Sequence, residues 1–365
     1  MGTVFNILDF GAVGDGKTDC TKAVQNALDQ AAECMGMVMV PPGKYLVGSL
    51  RMRGQGVSLV GTPAWSYRSD GASVFILNDG SANCMIDISG AFGCSIIGMS
   101  LCGNDLGDTD THPIHGVKLY WDQYNGGSEE DSPAIDSCRI GHFSGDGVHF
   151  EHVWAFSVRH SMLHTNGGNG LFIDGWDGFI LDNWFSNNDG WGIKGGGVVA
   201  SITATGNRVE WNRSGGFCIP YGDSYNFTGN FFDRSHGPAI EFGGEMPVSL
   251  VTLTGNIFRR SGAYIDKAFE DPYDNCHVKL QNCSNLTVIG NTMRVGRNDG
   301  GGGVLSPDYG MIIRDCHECI VKDNTMMTGA LKELIVENGN KNSQIENNIG
   351  TLADENTSTG SDLLN

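Results

Sequence analysis

Carboxylate and imidazole side chains occupy matching places in neighbouring segments of the chain. His149 and Glu151 alternate with apolar residues in VHFE, and Asp174 closes the comparable segment LFID. Alternate residues of a strand point to the same face, so these three side chains would share one outward face. If the two segments are adjacent strands, Glu151 and Asp174 lie about 5 Å apart. Carboxylates at that distance separate their pKa values, so that one can serve as an acid and the other as a base.

Two further residues complete the predicted catalytic set. Asp177 follows Asp174 in DGWDG, and Lys194 lies on the next comparable segment. We predict that Asp174 and Glu151, or Asp177 in place of Glu151, are the acid and the base or nucleophile, with Lys194 orienting or tuning them. A carboxylate separation of about 5 Å is typical of a retaining glycosidase, and a wider one of an inverting glycosidase. The alternative is a charged, exposed face on which Lys194 only balances the acids.

A second group of residues is predicted to bind substrate. Aromatic rings stack on the C–H faces of sugars, while carboxylates and other polar groups bond the hydroxyls. The predicted substrate-binding residues are His149, Trp176, Trp191, Glu210, Tyr221 and Glu241. Glu210 also falls in a column with Asp233 and Arg259, which we interpret as a surface ion-pair ladder. Glu210 becomes a substrate ligand only if the groove extends over the turn between the strands.

A repeat positions these candidate residues. Between residues 155 and 247, three short apolar strands and polar, Gly-containing turns recur about every 23 residues. Such a period without helix is typical of a β-solenoid. An Asn stands at the same place in each repeat, where its amide can bond the same amide one coil away. This column comprises Asn183, Asn207, Asn230, Asn256, Asn291, Asn324 and Asn348. Turns of an all-β sandwich are the alternative, but the register favours an all-β, right-handed parallel β-helix of about ten coils.

Composition supports a solenoid and narrows the partners. Glycine makes up 54 of 365 residues, the net charge is −19 and the sequence pI is about 4.7. An acidic chain argues against nucleic acid and anionic membranes as partners and leaves a poly- or oligosaccharide. We expect one β-helix domain over residues 1–350, a flexible tail over 351–365 and a possible homotrimer. The chain shows no signal peptide, so it is either secreted with its signal removed or bacterial and cytoplasmic.

Neither a disulfide framework nor a metal site is expected. The chain has 11 cysteines without framework spacing, and Cys94, Cys283, Cys316 and Cys319 are predicted to be small buried hydrophobes. Cys316 to Cys319 could form half of a metal site, but no second pair has zinc-like spacing. The acids of the insertion at 103–133 lack calcium-loop spacing, so we predict that this insertion lines a groove. No cofactor is therefore predicted.

The N-terminal segment predicts a cap and carries a family resemblance. After DFGAVGDGKTD a helix is predicted over about residues 19–34, inside a cap formed by residues 1–48. A short amphipathic helix can cover the open apolar end of a β-helix. DFGAVGDGKTD, the helix and VPPGKYLVGSL resemble the opening of the pectate-lyase-like superfamily. That superfamily includes polygalacturonase-type hydrolases, inulin fructotransferases, alginate epimerases and phage tailspikes, and the resemblance implies a β-helix fold.

The catalytic motifs of these families match only in part. The resemblance to alginate epimerases places His149-Phe150-Glu151 where they have Asp-Pro-His, and Asp174 where they have a second acid. Inulin fructotransferases have an Asp in a place similar to that of Asp177, but Asn188-Asp189 stands where their Glu would be. The four polygalacturonase motifs are absent, and Gly192-Ile193-Lys194 is only a faint echo of the last of them.

These observations predict a carbohydrate-active enzyme that cleaves or rearranges glycosidic bonds by carboxylate acid/base catalysis. A glycoside hydrolase or an inulin-fructotransferase-like transglycosylase is the leading interpretation. A lyase or epimerase acting on uronate glycans is the first alternative, and a tailspike-like glycan-binding protein is the second.

Overall fold

The fold is an all-β, right-handed parallel β-helix, as predicted, seen in a computed structural model. It describes residues 3–63, 66, 69–120, 130–265, 268–269, 271–296, 302–354 and 357. The chain divides into two compact units, Met1–Trp184 and Phe185–Asn365, and we describe each by itself. The expectation of a single domain over 1–350 stays a prediction. Most of the tail at 351–365, and residues 121–129 of the predicted groove insertion, lie outside the described residues.

The first unit is built of short parallel strands and one α-helix. The helix is α1 (Thr21–Ala32), and residues Ile7–Phe10 form a 3₁₀ turn. The strands are β1 (Val4–Asn6), β2 (Asp15–Asp19), β3 (Met37–Met39), β4 (Gly43–Val47), β5 (Leu50–Arg51), β6 (Ser58–Val60), β7 (Ser73–Leu77), β8 (Cys84–Asp87), β9 (Ser95–Ile97), β10 (Ser100–Cys102), β11 (His115–Tyr120), β12 (Ala134–Asp136), β13 (Arg139–Gly141), β14 (Val148–Arg159), β15 (Met162–His164) and β16 (Leu171–Leu181).

The remaining strands begin at the boundary between the units. They are β17 (Trp184–Ser186), β18 (Trp191–Thr205), β19 (Arg208–Glu210), β20 (Gly215–Ile219), β21 (Gly222–Thr228), β22 (Phe231–Asp233), β23 (Ile240–Thr254), β24 (Ile257–Arg259), β25 (Cys276–Ile289), β26 (Thr292–Arg294), β27 (Tyr309–Arg314), β28 (His317–Lys322), β29 (Thr325–Ala330), β30 (Glu333–Asn338), β31 (Gln344–Glu346) and β32 (Ile349–Leu352). Two 3₁₀ turns, Pro272–Asp274 and Gly302–Leu305, lie between them. No helix in the described ranges is long and apolar enough to cross a membrane.

The N-terminal helix is shorter than predicted. It runs over Thr21–Ala32, and its buried face consists of Val24, Ala27, Leu28 and Ala31. Asp19 was expected inside the helix but lies before it, where its Oδ1 accepts the backbone N–H of Thr21 at 2.9 Å. A carboxylate that satisfies an otherwise unbonded N–H at the first turn fixes where a helix begins.

Strand alternation places the core as predicted. In the first unit β11, β14 and β16 pair in parallel, with Val117 opposite Val148 and Val148 opposite Leu171. The predicted inward residues are all buried, namely Val148, Phe150, Leu171, Ile173, Ile193, Phe217, Ile219, Ile240 and Phe242. The opposite side chains of the same strands therefore point away from the core and form the face that carries the candidate site.

An asparagine ladder runs through the second unit. The side-chain N–H of each Asn donates to the Oδ1 of the next at 2.8–3.0 Å, through Asn207, Asn230, Asn256, Asn291, Asn324 and Asn348. In the first unit Asn183 bonds the carbonyl of Val158 and the N–H of Ser161. The predicted stacking is confirmed for the six residues of the second unit. A second pair, Asn188 and Asn212, makes the same contact at 2.9 Å and was not predicted.

The cysteines are thiols, as predicted. All eleven are unpaired, and Cys94, Cys283, Cys316 and Cys319 are buried. Burial raises the pKa of the Cys94 thiol to about 12, so it stays neutral and acts as a small hydrophobe.

Candidate functional site

A β-bulge in β14 creates the candidate site of the first unit. Phe150 lies opposite Ile173 and Val153 opposite Gly175, so two residues of β14, Glu151 and His152, face the single residue Asp174. The backbone of His152 has φ 55°, the left-handed conformation that an extra residue in a strand can adopt. The bulge turns His152 outward, whereas unbroken alternation would have placed it in the core.

Asp174 pairs with His152 rather than standing alone opposite Glu151. His152 Nε2 lies 3.7 Å from Asp174 Oδ2, and the side chains are 42% and 21% exposed. The ring of Tyr120, on the preceding coil, lies 5.9 Å from the His152 ring. The expected facing pair of Glu151 and Asp174 is therefore replaced by a histidine–carboxylate pair with a phenol beside it.

A chain of ionisable groups supports this face from beneath. His149 Nδ1 contacts Asp146 Oδ2 at 2.6 Å, and His149 Nε2 contacts Glu151 Oε1 at 3.0 Å. The His149 ring also stacks on Phe172 at 4.6 Å, with 8° between the planes. Both of its nitrogens and one of its faces are thus occupied within the protein. This geometry suits an imidazole that positions Glu151 better than one that contacts substrate.

The charges of this chain shift its pKa values in opposite directions. Burial lowers the pKa of His149, but the hydrogen bond and charge of Asp146, with those of Glu151, outweigh burial and raise it. Burial likewise raises the pKa of Asp146, but the hydrogen bond from His149 and the charge of His115 outweigh it and lower that pKa. Burial and the charge of His149 lower the pKa of His115 to about 4. The result is an imidazolium held between two carboxylates, beside a neutral imidazole.

His115, Asp146 and His149 are also the one group in the described ranges whose ligand atoms could surround a metal ion, all lying within 4.8 Å of one another. Their hydrogen bonds do not suit that role. The backbone N–H of Asp146 donates to His115 Nδ1 at 3.0 Å, which uses the lone pair a metal would need. Asp146 Oδ1 accepts the N–H of Asn169 at 2.6 Å. These residues fit a hydrogen-bonded ion pair better than a metal site.

Replacing His149 with glutamine is expected to change stability in a pH-dependent way. The raised pKa of His149 contributes stability that is complete below the ordinary histidine value of about 6.5 and is lost as pH rises through the raised value. The lowered pKa of Asp146 contributes stability that is present above about pH 4 and is lost in stronger acid. The difference in unfolding free energy between wild type and His149→Gln should therefore be largest around pH 5–6 and shrink towards pH 9. Urea unfolding across that range measures it, and a difference that is constant with pH would contradict the imidazolium assignment.

Asp177 and Trp176 lie on the same strand, just beyond the bulge. Asp177 Oδ2 accepts the indole N–H of Trp154 at 2.9 Å. Trp176 lies opposite Trp154 in the strand register and is half-buried. Asp177 also lines a shallow cleft of about 200 Å³ with Phe156 and Phe179. Asp177 is thus at the surface, but its carboxylate is engaged by Trp154.

Lys194 belongs to the second unit, so its predicted partnership with Asp174 stays a prediction. Its Nζ donates to Cys218 Sγ at 3.0 Å and lies 5.5 Å from the centre of the Trp191 ring. A Cβ atom at Gly215 would lie 2.1 Å from that ring, so Trp191 packs closely on the backbone there. Stacking on sugar, as predicted for Trp191, would need the ring to move.

The predicted surface ladder of Glu210, Asp233 and Arg259 is wrong in its exposure. Glu210 and Asp233 are 5% and 1% exposed. Glu210 pairs with Arg208 at 2.9 Å, and Asp233 accepts two hydrogen bonds from the buried Arg260. These acids are internal because the strand that carries them turns them beneath the following turn. Glu210 is therefore unsuited to bind substrate.

Two predicted substrate-binding residues do meet in one cavity of the second unit. Glu241 and Trp191 line a space of about 280 Å³ together with Ser214, Tyr264, Asp274 and Lys279. The third predicted residue of this unit, Tyr221, is half-buried in the turn after β20. The insertion at 263–275 supplies part of the wall.

Sequence reasoning missed His115, Asp146 and His152. The signal was present in DGVHFEH, where two acids and two histidines fall within seven residues. Strict alternation hid it, because a bulge cannot be read from alternation and a contact across coils, such as that of His115 with Asp146 at 3.5 Å, is not local.

Fold and site together define a β-helix protein with an acid–base face, and comparisons with known proteins agree. The chain matches "Rhamnogalacturonase A/epimerase, pectate lyase-like" over residues 4–93 and "Right handed beta helix region" over residues 192–361. It therefore belongs to the pectate-lyase-like superfamily of right-handed β-helix proteins, as its N-terminal motif predicted, and to no close single family.

Its relatives include carbohydrate-active enzymes. Mannuronan C5-epimerase AlgE4 of Azotobacter vinelandii is 29% identical over 193 residues, which are 50% of this chain and 34% of that protein. The solved A-module of AlgE4 has a TM-score of 0.56 at 20% identity, covering 96% of this chain and 100% of the module. Alginate lyase 7 of the same organism is 26% identical over 208 residues, 51% of this chain and 22% of that protein.

DFA-IIIase from Arthrobacter chlorophenolicus A6 shares the fold, with a TM-score of 0.61 at 12% identity over 100% of this chain and 89% of that one. Among the curated relatives, the matched length ranges from 10% to 34% of the relative. This chain thus spans a third or less of those proteins.

Proposed function

We propose that the protein acts on a uronate polysaccharide by removing the C5 proton of a uronate residue, as an epimerase or lyase does. The observation that carries this proposal is the pairing of His152 with Asp174 beside Tyr120 on one outward face. A proton next to a carboxylate is removed by a positioned base, and imidazole and phenol groups are suited to the two proton transfers. The names of the relatives, mannuronan C5-epimerases and an alginate lyase, support the same substrate class.

Each residue takes a role that its position suggests. With Nε2 directed at Asp174, His152 takes the C5 proton on Nδ1, and Asp174 steadies the imidazolium that forms. Tyr120 is the second proton-transfer group. In the apo state the 3.7 Å separation is longer than a hydrogen bond, and such contacts commonly shorten when substrate binds.

Lys118 is the cation that faces the substrate carboxylate. It lies opposite His149 on the neighbouring strand, and its charge helps to lower the pKa of Glu151. Loss of the C5 proton moves negative charge onto the uronate carboxylate, and a cation at that place stabilises the transition state. Return of a proton to the opposite face of C5 completes an epimerisation. Breaking the C4–O4 bond, with a proton given to O4, completes a lyase reaction and leaves a C4=C5 double bond.

Hydrolysis of a glycosidic bond, the leading interpretation from the sequence, has less geometric support. That chemistry needs two carboxylates on either side of the bond. Here Glu151 contacts His149 and Asp174 lies next to His152, while Asp177 accepts from Trp154. The likeness to DFA-IIIase concerns the fold alone.

Product analysis tests the proposal. Purified protein is incubated with polymannuronate, polyguluronate and, as neutral controls, an α-1,3-glucan and inulin. We expect either a changed ratio of C5 epimers by proton NMR or an unsaturated sugar that absorbs in the ultraviolet, and only with the uronate polymers. New reducing ends without ultraviolet absorbance, or turnover of a neutral polymer alone, would replace this proposal with hydrolysis or transglycosylation.

A further inference from the structure

The cavity of the second unit has no part in the C5 chemistry proposed for the first. It is lined by aromatic residues, Trp191, Tyr264 and Phe269, and by ionisable ones, Glu241, Asp274 and Lys279. Pockets for small molecules enclose about 300–1,000 Å³. A volume of about 280 Å³ therefore accommodates one sugar ring rather than an oligosaccharide.

The wall of this cavity is held in place before any ligand arrives. The hydroxyl of Tyr264 donates to the carbonyl of Ser214 at 3.0 Å, and its ring packs against Phe269 at 5.5 Å. At the other end of the insertion, Asp271 caps the 3₁₀ turn and pairs with Arg314 at 2.7 Å. A wall fixed at both ends costs little ordering entropy when a ligand binds.

The charges of the cavity favour an uncharged ligand. Lys279 Nζ lies 3.8 Å from Glu241 Oε1 and also contacts Asp274 Oδ1, so one ammonium serves two carboxylates. The lysine is mostly buried, and although burial lowers its pKa, the hydrogen bond to Asp274 and the charge of Glu241 raise it. The three groups sum to a charge of −1. A uronate carboxylate would be repelled by that charge, whereas sugar hydroxyls can donate to both acids.

We propose that this cavity binds a single neutral sugar ring. Glu241 and Asp274 accept hydrogen bonds from its hydroxyls, Lys279 donates to a hydroxyl or the ring oxygen, and Phe269 and Tyr264 cover its apolar side. The site is independent of the uronate chemistry proposed for His152, because its ligand lacks a carboxylate and its residues belong to another unit.

Binding of methyl glycosides to the full chain tests this site. The probes are the methyl glycosides of glucose, mannose and galactose, with the methyl glycosides of glucuronate and mannuronate as charged counterparts. Saturation-transfer NMR and Trp fluorescence titration measure the dissociation constants. We expect saturable binding of at least one neutral glycoside, and binding at least ~10-fold weaker for the uronate of the same sugar. The absence of saturable neutral binding, or equal or tighter uronate binding, would overturn the proposal.

Two variants distinguish the cavity from the rest of the surface. Glu241→Gln keeps the shape but removes one acceptor charge, so it should weaken neutral-sugar binding by ~10-fold and narrow the preference over uronate. Glu245→Gln removes an exposed charge from the same strand and should leave both constants unchanged. Equal behaviour of the two variants would show that the sugar binds elsewhere. Loss of uronate turnover with intact neutral binding would instead bear on His152 alone, so the two proposals fail separately.

Discussion

Replacing His152 with alanine should lower turnover of a uronate polymer by at least ~100-fold, in line with the usual contribution of a general acid or base. The ring is 42% exposed and stands on a bulge, so its loss leaves no buried cavity and the fold should survive. Initial rates with polymannuronate and polyguluronate measure the effect, and circular dichroism with thermal unfolding checks the fold. Asp174→Asn should act in the same direction through His152, since an amide cannot stabilise the imidazolium.

A matched control lies elsewhere on the same unit. His160 is also an exposed histidine at a positive φ, and its ring contacts Asp136 at 3.0 Å and Asp182 at 3.9 Å. It therefore shares the histidine–carboxylate pairing but lacks a phenol and a lysine beside it in the described contacts. His160→Ala should leave turnover within a few-fold of wild type. Full activity in a folded His152→Ala protein would remove His152 from the reaction and return attention to Asp177 and Lys194.

The sequence revealed the fold because its signal is periodic. The Asn column repeats at the coil length, and each Asn207-to-Asn230 type of contact is the same local event made again one coil on. Inward positions such as Phe150 and Ile173 follow from alternation, which needs no knowledge of distant residues. A repeat therefore announces its own architecture, and the open apolar end explains the helix over Thr21–Ala32.

The candidate site departs from that periodicity, which is why only part of it was predicted. Glu151 and Asp174 were placed on the correct outward face, but the bulge at Glu151 and His152 changed which of them meet. One inserted residue reverses the facing of a side chain, and nothing in composition marks where it occurs. The cavity wall posed a different difficulty. Tyr264 reaches Ser214, fifty positions earlier, through a contact that only the folded chain defines.

The largest stability effect is expected at Asp233, which the sequence had placed on the surface. Its carboxylate is 1% exposed and accepts Arg260 Nε at 3.0 Å and Arg260 Nη2 at 2.7 Å. Arg234 contacts the same carboxylate from the rim. Arg260 is itself 1% exposed, so the two charges form a bidentate pair inside the protein. A buried pair of this kind contributes little net stability as a whole, but the loss of one partner leaves the other charge buried without compensation.

Asp233→Ala should therefore lower the unfolding free energy by about 3–5 kcal/mol, the usual cost of breaking a buried ion pair from one side. Urea unfolding followed by Trp fluorescence measures it. The control is Asp189→Ala, because Asp189 pairs with Arg213 at 3.3 Å with both side chains more than half exposed, and such surface pairs contribute about 0–1 kcal/mol. The double change Asp233→Ala, Arg260→Met should recover part of the loss, since it removes the stranded charge while keeping an apolar side chain of similar length. If Asp233→Ala cost no more than the control, or if the second substitution added to the loss instead of relieving it, the pair would not be the buried electrostatic contact that these distances describe.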